Sequence, residues 1–234
     1  MHPTAKVNLY KKVGLFIYTT YDIFDVYKAN SKGEPLMGVA SGLNALLQEH
    51  HTFVSGTAKR FGVSSSTLNQ AVKNGKLLRE ARGVYVENGY TWDDFEVLSQ
   101  RYTKGVFALD TALFLHGLTD QLPDRFIMAF PHGYSNPRLA EHGIVPIYYV
   151  PDRYFPGITS VQTPNMGLVP AYSVERTLLE FWERSDVAPY SRKEAINNYM
   201  YEYGNNVNSY KRLKKLKEQL YPQSDIFKLL EVLA

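Results

Sequence analysis

An α+β chain in two parts is predicted by three features: a pair of short helices around a glycine turn, a basic hairpin directly after them, and a later run of four β-rich segments enclosed by helices. The first two lie in TFVSGTAKRFGVSSSTLNQAVKNGKLLREARGVYV, residues 52–86. Ser55 is the expected N-cap of the first helix, and Gly62 ends it by supplying the positive φ that a sharp inter-helix turn requires. Val63 then plugs the angle between the helices. Ser64 caps the second helix, where Leu68 and Val72 fall four apart and face inward against Ala58 and Phe61. Asn74 and Gly75 form its left-handed C-cap. An extended run follows, with Arg82 and Gly83 at the hairpin tip and Val84, Tyr85 and Val86 on the return strand. This order is that of a winged helix-turn-helix, a geometry that also serves as a protein-docking module.

Its outward residues fit duplex DNA. Ser64, Ser65, Ser66, Asn69 and Gln70 offer short hydroxyls and amides suited to base edges, whereas Lys73, Lys76, Arg79 and Arg82 suit phosphates or the minor groove. Upstream, Met37 opens a segment with Leu43, Leu46 and Leu47 at helical spacing and Ser41 as its expected cap, so the DNA-binding domain is placed at residues 37–90. Residues 1–36 mix aromatic and β-branched side chains and receive no role. They are either an added arm or the product of a start upstream of Met37.

Residues 91–234 form the second part, an α+β domain with a small, mostly antiparallel sheet and several helices. Asp93–Arg101 reads as a helix after a linker. Asp110 or Thr111 begins another, with Leu113, Phe114 and Leu118 inward. Arg125–Phe130, Ile144–Val150, Ile158–Thr163 and Gly167–Tyr172 are rich in β-branched and aromatic residues and are separated by Pro, Gly and Asn turns. Four helices close the chain: Val174–Glu183, Arg192–Tyr203, Asn208–Leu220 and Asp225–Leu233.

The net charge of +3 hides a division along the chain. Residues 37–90 hold six Lys/Arg against three acids, residues 91–206 hold nine against fourteen, and residues 207–220 hold five against one. Basic charge therefore gathers at the helix-turn-helix and at one late helix, VNSYKRLKKLKEQL, where Tyr210, Leu213, Leu216 and Leu220 make an inward stripe. Lys211, Arg212, Lys214, Lys215 and Lys217 of that helix are either a solvated face or a surface for a partner. The chain has no cysteine, which excludes disulfides and cysteine-held metal and fits a cytoplasmic protein. No apolar run reaches membrane-spanning length, and Asp22 and Asp25 interrupt the short apolar stretch Val13–Tyr18 that could mimic a signal-peptide core.

Catalysis is not expected. Asp110, His116, Asp120, Asp124, His132, His142 and Asp152 could supply an acid–base pair or metal ligands, but no His-x-x-x-His, phosphate loop or Gly-x-Ser-x-Gly elbow is present. Neither Pro123-Asp124 nor Pro151-Asp152 has the Glu-x-Lys that a restriction-type nuclease needs. His116 reads as a hydrogen-bonded core histidine. No metal or other cofactor is implied.

The segment LNALLQEHHTFVSGTAKRFGVSSSTLNQAVKNGKLLREARGVYV, with ALDTALFLHGLTDQLPDRFIMAFPHG and AYSVERTLLEFW after it, resembles the AbiEi antitoxins of type IV abortive-infection toxin–antitoxin systems. The likeness covers about residues 43–220, and its most specific pieces are RGVY (Arg82–Tyr85) and ALFLHGLTDQLP (Ala112–Pro123). It implies a winged helix that represses its own operon at inverted repeats in double-stranded DNA, and a C-terminal domain that neutralises a nucleotidyltransferase toxin without requiring a stable complex, as part of phage defence. From the residues alone, a regulator whose second domain senses a ligand or partner, with no antitoxin role, fits as well.

Overall fold

Helix α1 (Val39–Glu49) leads into strand β1 (Thr52–Val54), helices α2 (Ser55–Arg60) and α3 (Ser65–Lys73), and a hairpin of β2 (Leu77–Ala81) and β3 (Val84–Glu87). This computed structural model describes residues 39–233, so both readings of residues 1–36 lie outside the described residues. The three strands form an antiparallel sheet in the order β1-β3-β2. Leu43, Leu46, Phe53, Ala58, Val63, Leu68, Ala71, Leu77 and Tyr85 close one core beneath them.

Helices α2 and α3 end by the same device. Gly62 (φ 73°) and Gly75 (φ 70°) are left-handed. Each helix then closes with a pair of reversed bonds: Gly62 N–H to the Lys59 carbonyl at 3.0 Å with Val63 N–H to Ala58 at 2.9 Å, and Gly75 to Val72 at 3.0 Å with Lys76 to Ala71 at 2.9 Å. This Schellman geometry satisfies carbonyls left over at the helix end and throws the chain sharply aside. Gly62→Ala is expected to destabilise the chain by about 1–2 kcal/mol through the forced left-handed backbone, read as a lower urea midpoint at unchanged slope.

Two expected caps are corrected. Ser41 lies inside α1 rather than ahead of it, and Ser55 is the first residue of α2, with Val54 at the cap position and no side-chain cap. For Ser55 the cause is β1, a strand too short to show a period. Thr52, Phe53 and Val54 pair with Val86, Tyr85 and Val84, and the Ser55 N–H is already given to the Gly83 carbonyl at 2.8 Å.

The second part runs α4 (Asp94–Arg101), β4 (Val106–Phe107), α5 (Leu109–Leu115), β5 (Phe126–Pro131), β6 (Ile144–Tyr149), α6 (Pro151–Tyr154), β7 (Ile158–Gln162), β8 (Leu168–Tyr172), α7 (Val174–Glu183), α8 (Pro189–Tyr203), α9 (Val207–Leu220) and α10 (Ile226–Leu233), with a 3-10 turn at Ala140–His142. Its five-stranded sheet has the order β6-β5-β4-β8-β7. The expected mostly antiparallel sheet is instead mixed: β4–β5 and β7–β8 are antiparallel, β4–β8 and β5–β6 parallel. Residues 132–143, which include the 3-10 turn, carry the chain back across the sheet end, so β6 runs beside β5 in the same direction. Phe126 and His132 donate to the Gly143 and Tyr149 carbonyls, which puts the odd-numbered backbone groups of β6 toward β5 and turns Pro146 outward.

Side chains alternate across this sheet. Phe107, Met128, Phe130, Val169 and Ala171 meet Phe95 and Leu98 of α4 on one face, while Val106, Ala129 and Tyr172 meet Tyr154 of α6 on the other. A further core joins Leu113 and Leu118 to α7, α8, α9 and α10 through Leu178, Leu179, Ile196, Leu213 and Ile226. Arg176 in α7 is fully buried. Its guanidinium lies 3.4 Å from the Tyr172 ring centroid and donates to Glu180 Oε1 from Nη2 at 2.9 Å and Nε at 3.1 Å, while Nη1 reaches the Tyr154 and Pro156 carbonyls.

His116 follows α5, its Nε2 2.7 Å from the Tyr172 carbonyl. Burial depresses the imidazole pKa below its ordinary value, outweighing the bond to Tyr172. The unfolded chain therefore binds this proton more readily than the native one, and stability should fall as pH drops from about 6.5 toward the native pKa. His116→Gln should remove that slope from urea midpoints measured between pH 7 and 5.

Candidate nucleic-acid interface

The second helix of the first part presents a wholly polar outer face. Leu68 and Ala71 hold α3 on the core, and Val72 is half-buried, whereas Ser64, Ser65, Ser66, Asn69, Gln70 and Lys73 are all exposed. Ser64 is the cap expected of it, accepting from the Thr67 N–H at 3.2 Å, and its Oγ lies 2.7 Å from that of Ser66. Gln70 donates to Asn74 at 2.9 Å within the helix and must release that bond to meet a base edge. The Asn69 side chain makes no hydrogen bond to other described residues.

The hairpin continues this surface. Ala81 pairs with Val84 around the two-residue tip Arg82-Gly83, and Gly83 (φ 75°) takes the left-handed conformation. Lys76, Arg79 and Arg82 are exposed. Lys76 is not wholly free, since its Nζ lies 2.9 Å from Asn44 Oδ1 on α1. Four cations and five hydroxyl or amide groups are thus brought onto consecutive elements whose opposite faces share one core.

The late basic helix is reduced by its contacts. Arg212 donates to buried Glu175 Oε1 from Nε at 2.8 Å and Nη2 at 2.6 Å, beside Ser209 Oγ at 2.6 Å. Burial pushes the Glu175 carboxyl upward, but the Arg212 and Ser209 hydrogen bonds outweigh it and hold the group below the usual carboxylate range. Lys217 is half-buried and donates to the Pro222 carbonyl. Lys211, Lys214 and Lys215 remain exposed. Tyr210 does not join the inward stripe; it is 47% exposed and meets Phe227 edge-on, while Ser209 is buried in its place. The one-position shift follows from the Ser209–Glu175–Arg212 network, which sets the rotation of α9.

What sequence patterning missed is how α4 holds the first part. Residues Phe95–Gln100 are all buried, so α4 has no solvent stripe from which period could be read. Glu96 Oε2 accepts the Thr52 N–H at 2.8 Å, and its Oε1 lies 3.0 Å from His50 Nδ1. Gln100 accepts the Val54 N–H at 2.9 Å and donates to the Thr52 carbonyl at 2.8 Å. Asp93 caps α4 and accepts from Thr163 Oγ1 at 2.5 Å; burial raises its pKa against those bonds.

The catalytic candidates do not converge. Asp110 pairs with Arg184 at 2.6 Å, His116 with Tyr172, and His142 Nδ1 with the Tyr102 hydroxyl at 2.6 Å. Among the described residues no group of three His, Asp or Glu side chains could hold a metal ion, and no helix is long and apolar enough to cross a membrane.

Residues 43–88, which span this polar face and its hairpin, match the family model AbiEi_4, described as transcriptional regulator, AbiEi antitoxin. The match is confined to this segment. The AbiEi match ends at Asn88, so the ALFLHGLTDQLP and SVERTLLEF blocks lie outside it. No curated protein matches the chain. Among solved structures, the chain is similar to the RV2827C protein from Mycobacterium tuberculosis at 14% identity and a TM-score of 0.42, over 76% of this chain and 71% of that one.

Proposed function

We propose that the chain is the antitoxin and transcriptional autorepressor of a type IV toxin–antitoxin operon active in phage defence. The observation that carries this is the exposed polar face of α3, continuous in sequence with a basic hairpin tip, inside the segment that matches AbiEi regulators. The α1–β3 module acts as a winged helix-turn-helix: Ser65, Ser66, Asn69 and Gln70 read bases at inverted repeats in the promoter, and Lys73, Lys76, Arg79 and Arg82 meet phosphates or the minor groove. Ser64 serves by fixing the N-terminus of α3. The part from α4 onward relieves a nucleotidyltransferase toxin by binding rather than catalysis, without cofactor and in the cytoplasm, and Lys211, Lys214 and Lys215 supply its partner-facing charge. No stable complex with the toxin is required.

Two assays test this. The full chain should retard DNA from upstream of its own operon and lower expression of a reporter fused to it; absence of both overturns the repressor role. Co-expression with the neighbouring nucleotidyltransferase should restore growth, and Lys214→Glu with Lys215→Glu should abolish that rescue while leaving DNA retardation intact. Full repression without rescue by the unaltered chain would leave a regulator whose second part senses a ligand or partner.

A further inference from the structure

Helix α4 lies alongside β1 and runs in the same direction, because Glu96 meets the Thr52 N–H and Gln100, one turn later, meets the Val54 N–H. The hairpin tip is at the same end. Val54 pairs with Val84, and the Ser55 N–H goes to the Gly83 carbonyl at 2.8 Å, which sets the tip residue Arg82 beside the C-terminal end of α4, where Arg101 is exposed. A guanidinium only donates, so the 3.3 Å contact of Arg101 Nη1 with His142 Nε2 makes that nitrogen an acceptor and puts the ring proton on Nδ1. Nδ1 lies 2.6 Å from the Tyr102 hydroxyl, which in turn donates to the Arg138 carbonyl at 3.2 Å. Every donor of this relay has an acceptor, and the relay ties the Arg101 side chain to the backbone of exposed Arg138. Burial and then the Arg101 charge depress the His142 pKa, and Arg138 adds to them against Glu141, so the imidazole stays neutral. Neither arginine makes an ion pair with other described residues.

We propose that Arg101 and Arg138 form a second phosphate-binding site for DNA, one that continues the track of cations from the hairpin tip onto the second part of the chain. The inference rests on the DNA-binding reading of α3 and the hairpin. Arginine suits the task because its planar fork can give two parallel hydrogen bonds to one phosphate group. His142 and Tyr102 are positioning residues: they hold Arg101 through a neutral acceptor, where a carboxylate in the same place would cancel the charge that phosphate needs. Contacts to the DNA backbone carry no base information. The site therefore adds affinity for every duplex and lengthens the protected stretch outward from the hairpin, while α3 alone selects the sequence.

The test titrates promoter and scrambled duplexes with the full chain. Arg101→Gln combined with Arg138→Gln should lower the slope of log affinity against log salt by about 1.8, so that the affinity lost between about 50 and about 200 mM salt becomes about twelvefold smaller, on both duplexes alike. Hydroxyl-radical footprints should lose protection at the outermost backbone positions on the hairpin side and keep it where α3 lies. Lysine at both positions keeps the charge and should restore the slope, which a merely structural role of the two side chains would not do. Each single glutamine variant should give about half of the change, and the singles decide the matter if the pair melts without cooperativity. Variants with the parent's slope and footprint overturn the site. Loss of growth rescue with unaltered DNA titrations overturns it equally, by assigning the two arginines to the toxin. A parent that retards no DNA fails the DNA-binding reading instead, and the site falls with it.

Discussion

Replacing Arg176 by Met with Glu180 left in place should destabilise the chain by about 3–5 kcal/mol, since it strands a carboxylate in the core. Glu180 is 2% exposed, and both nitrogens that meet it belong to Arg176 and fall on one oxygen, Oε1. The guanidinium also covers the Tyr172 ring and ties α7 to the Tyr154 and Pro156 carbonyls, so its removal loosens the packing of α6 on the sheet. Arg176→Met combined with Glu180→Leu should recover most of the loss, because an apolar pair of similar volume avoids the desolvation of both charges. Urea midpoints of the two single variants and the double variant decide it. A double variant no more stable than the singles would mean that packing of the guanidinium, rather than charge, is what the core needs.

The second large effect is on DNA. Alanine at Lys73, Arg79 and Arg82 together should weaken binding to promoter and unrelated duplexes alike, and should lower the slope of log affinity against log salt by about 0.9 for each phosphate no longer neutralised. These three side chains are exposed and make no ion pair with other described residues, so their removal costs the fold little. Asn69→Ala or Gln70→Ala should behave differently, relaxing preference at one base position by about 1–3 kcal/mol at an unchanged salt slope. Titrations at two or more salt concentrations, with cognate and scrambled DNA, separate the patterns. A triple variant with the parent's salt slope would remove the hairpin and the end of α3 from the interface.

Much of this was legible from residue order because it rests on local rules. Gly62 and Gly75 announced left-handed turns, Ser64 a cap, and Arg82-Gly83 a hairpin tip, each fixed within a few residues of itself. The four strands and four closing helices of the second part were recovered nearly to their ends for the same reason. What escaped depends on contacts across long separations. Two-residue β4 and three-residue β1 are too short to carry a period, and exist because β5, β8 and β3 pair with them. The direction of β6 beside β5 was hidden in the path of residues 132–143. Arg212 read as one cation among five, and only the fold brings Glu175, far back in the chain, against it. Glu96 and Gln100 carry no local signal of their role; α4 is covered on nearly every side, and its polar side chains serve the backbone of another element.

Pro146 has a consequence for how copies of the chain meet one another. Ile144–Tyr149 contains no charged residue and forms an edge of the five-stranded sheet, with Val145 and Tyr148 exposed. Such an edge is a template for zipping chain to chain into aggregates. Proline removes one donor from the outward row and places a ring where a second backbone would have to approach, so an incoming strand finds the ladder broken at its middle. The side chain that carries no chemistry in this sheet is the one that keeps crowded copies apart.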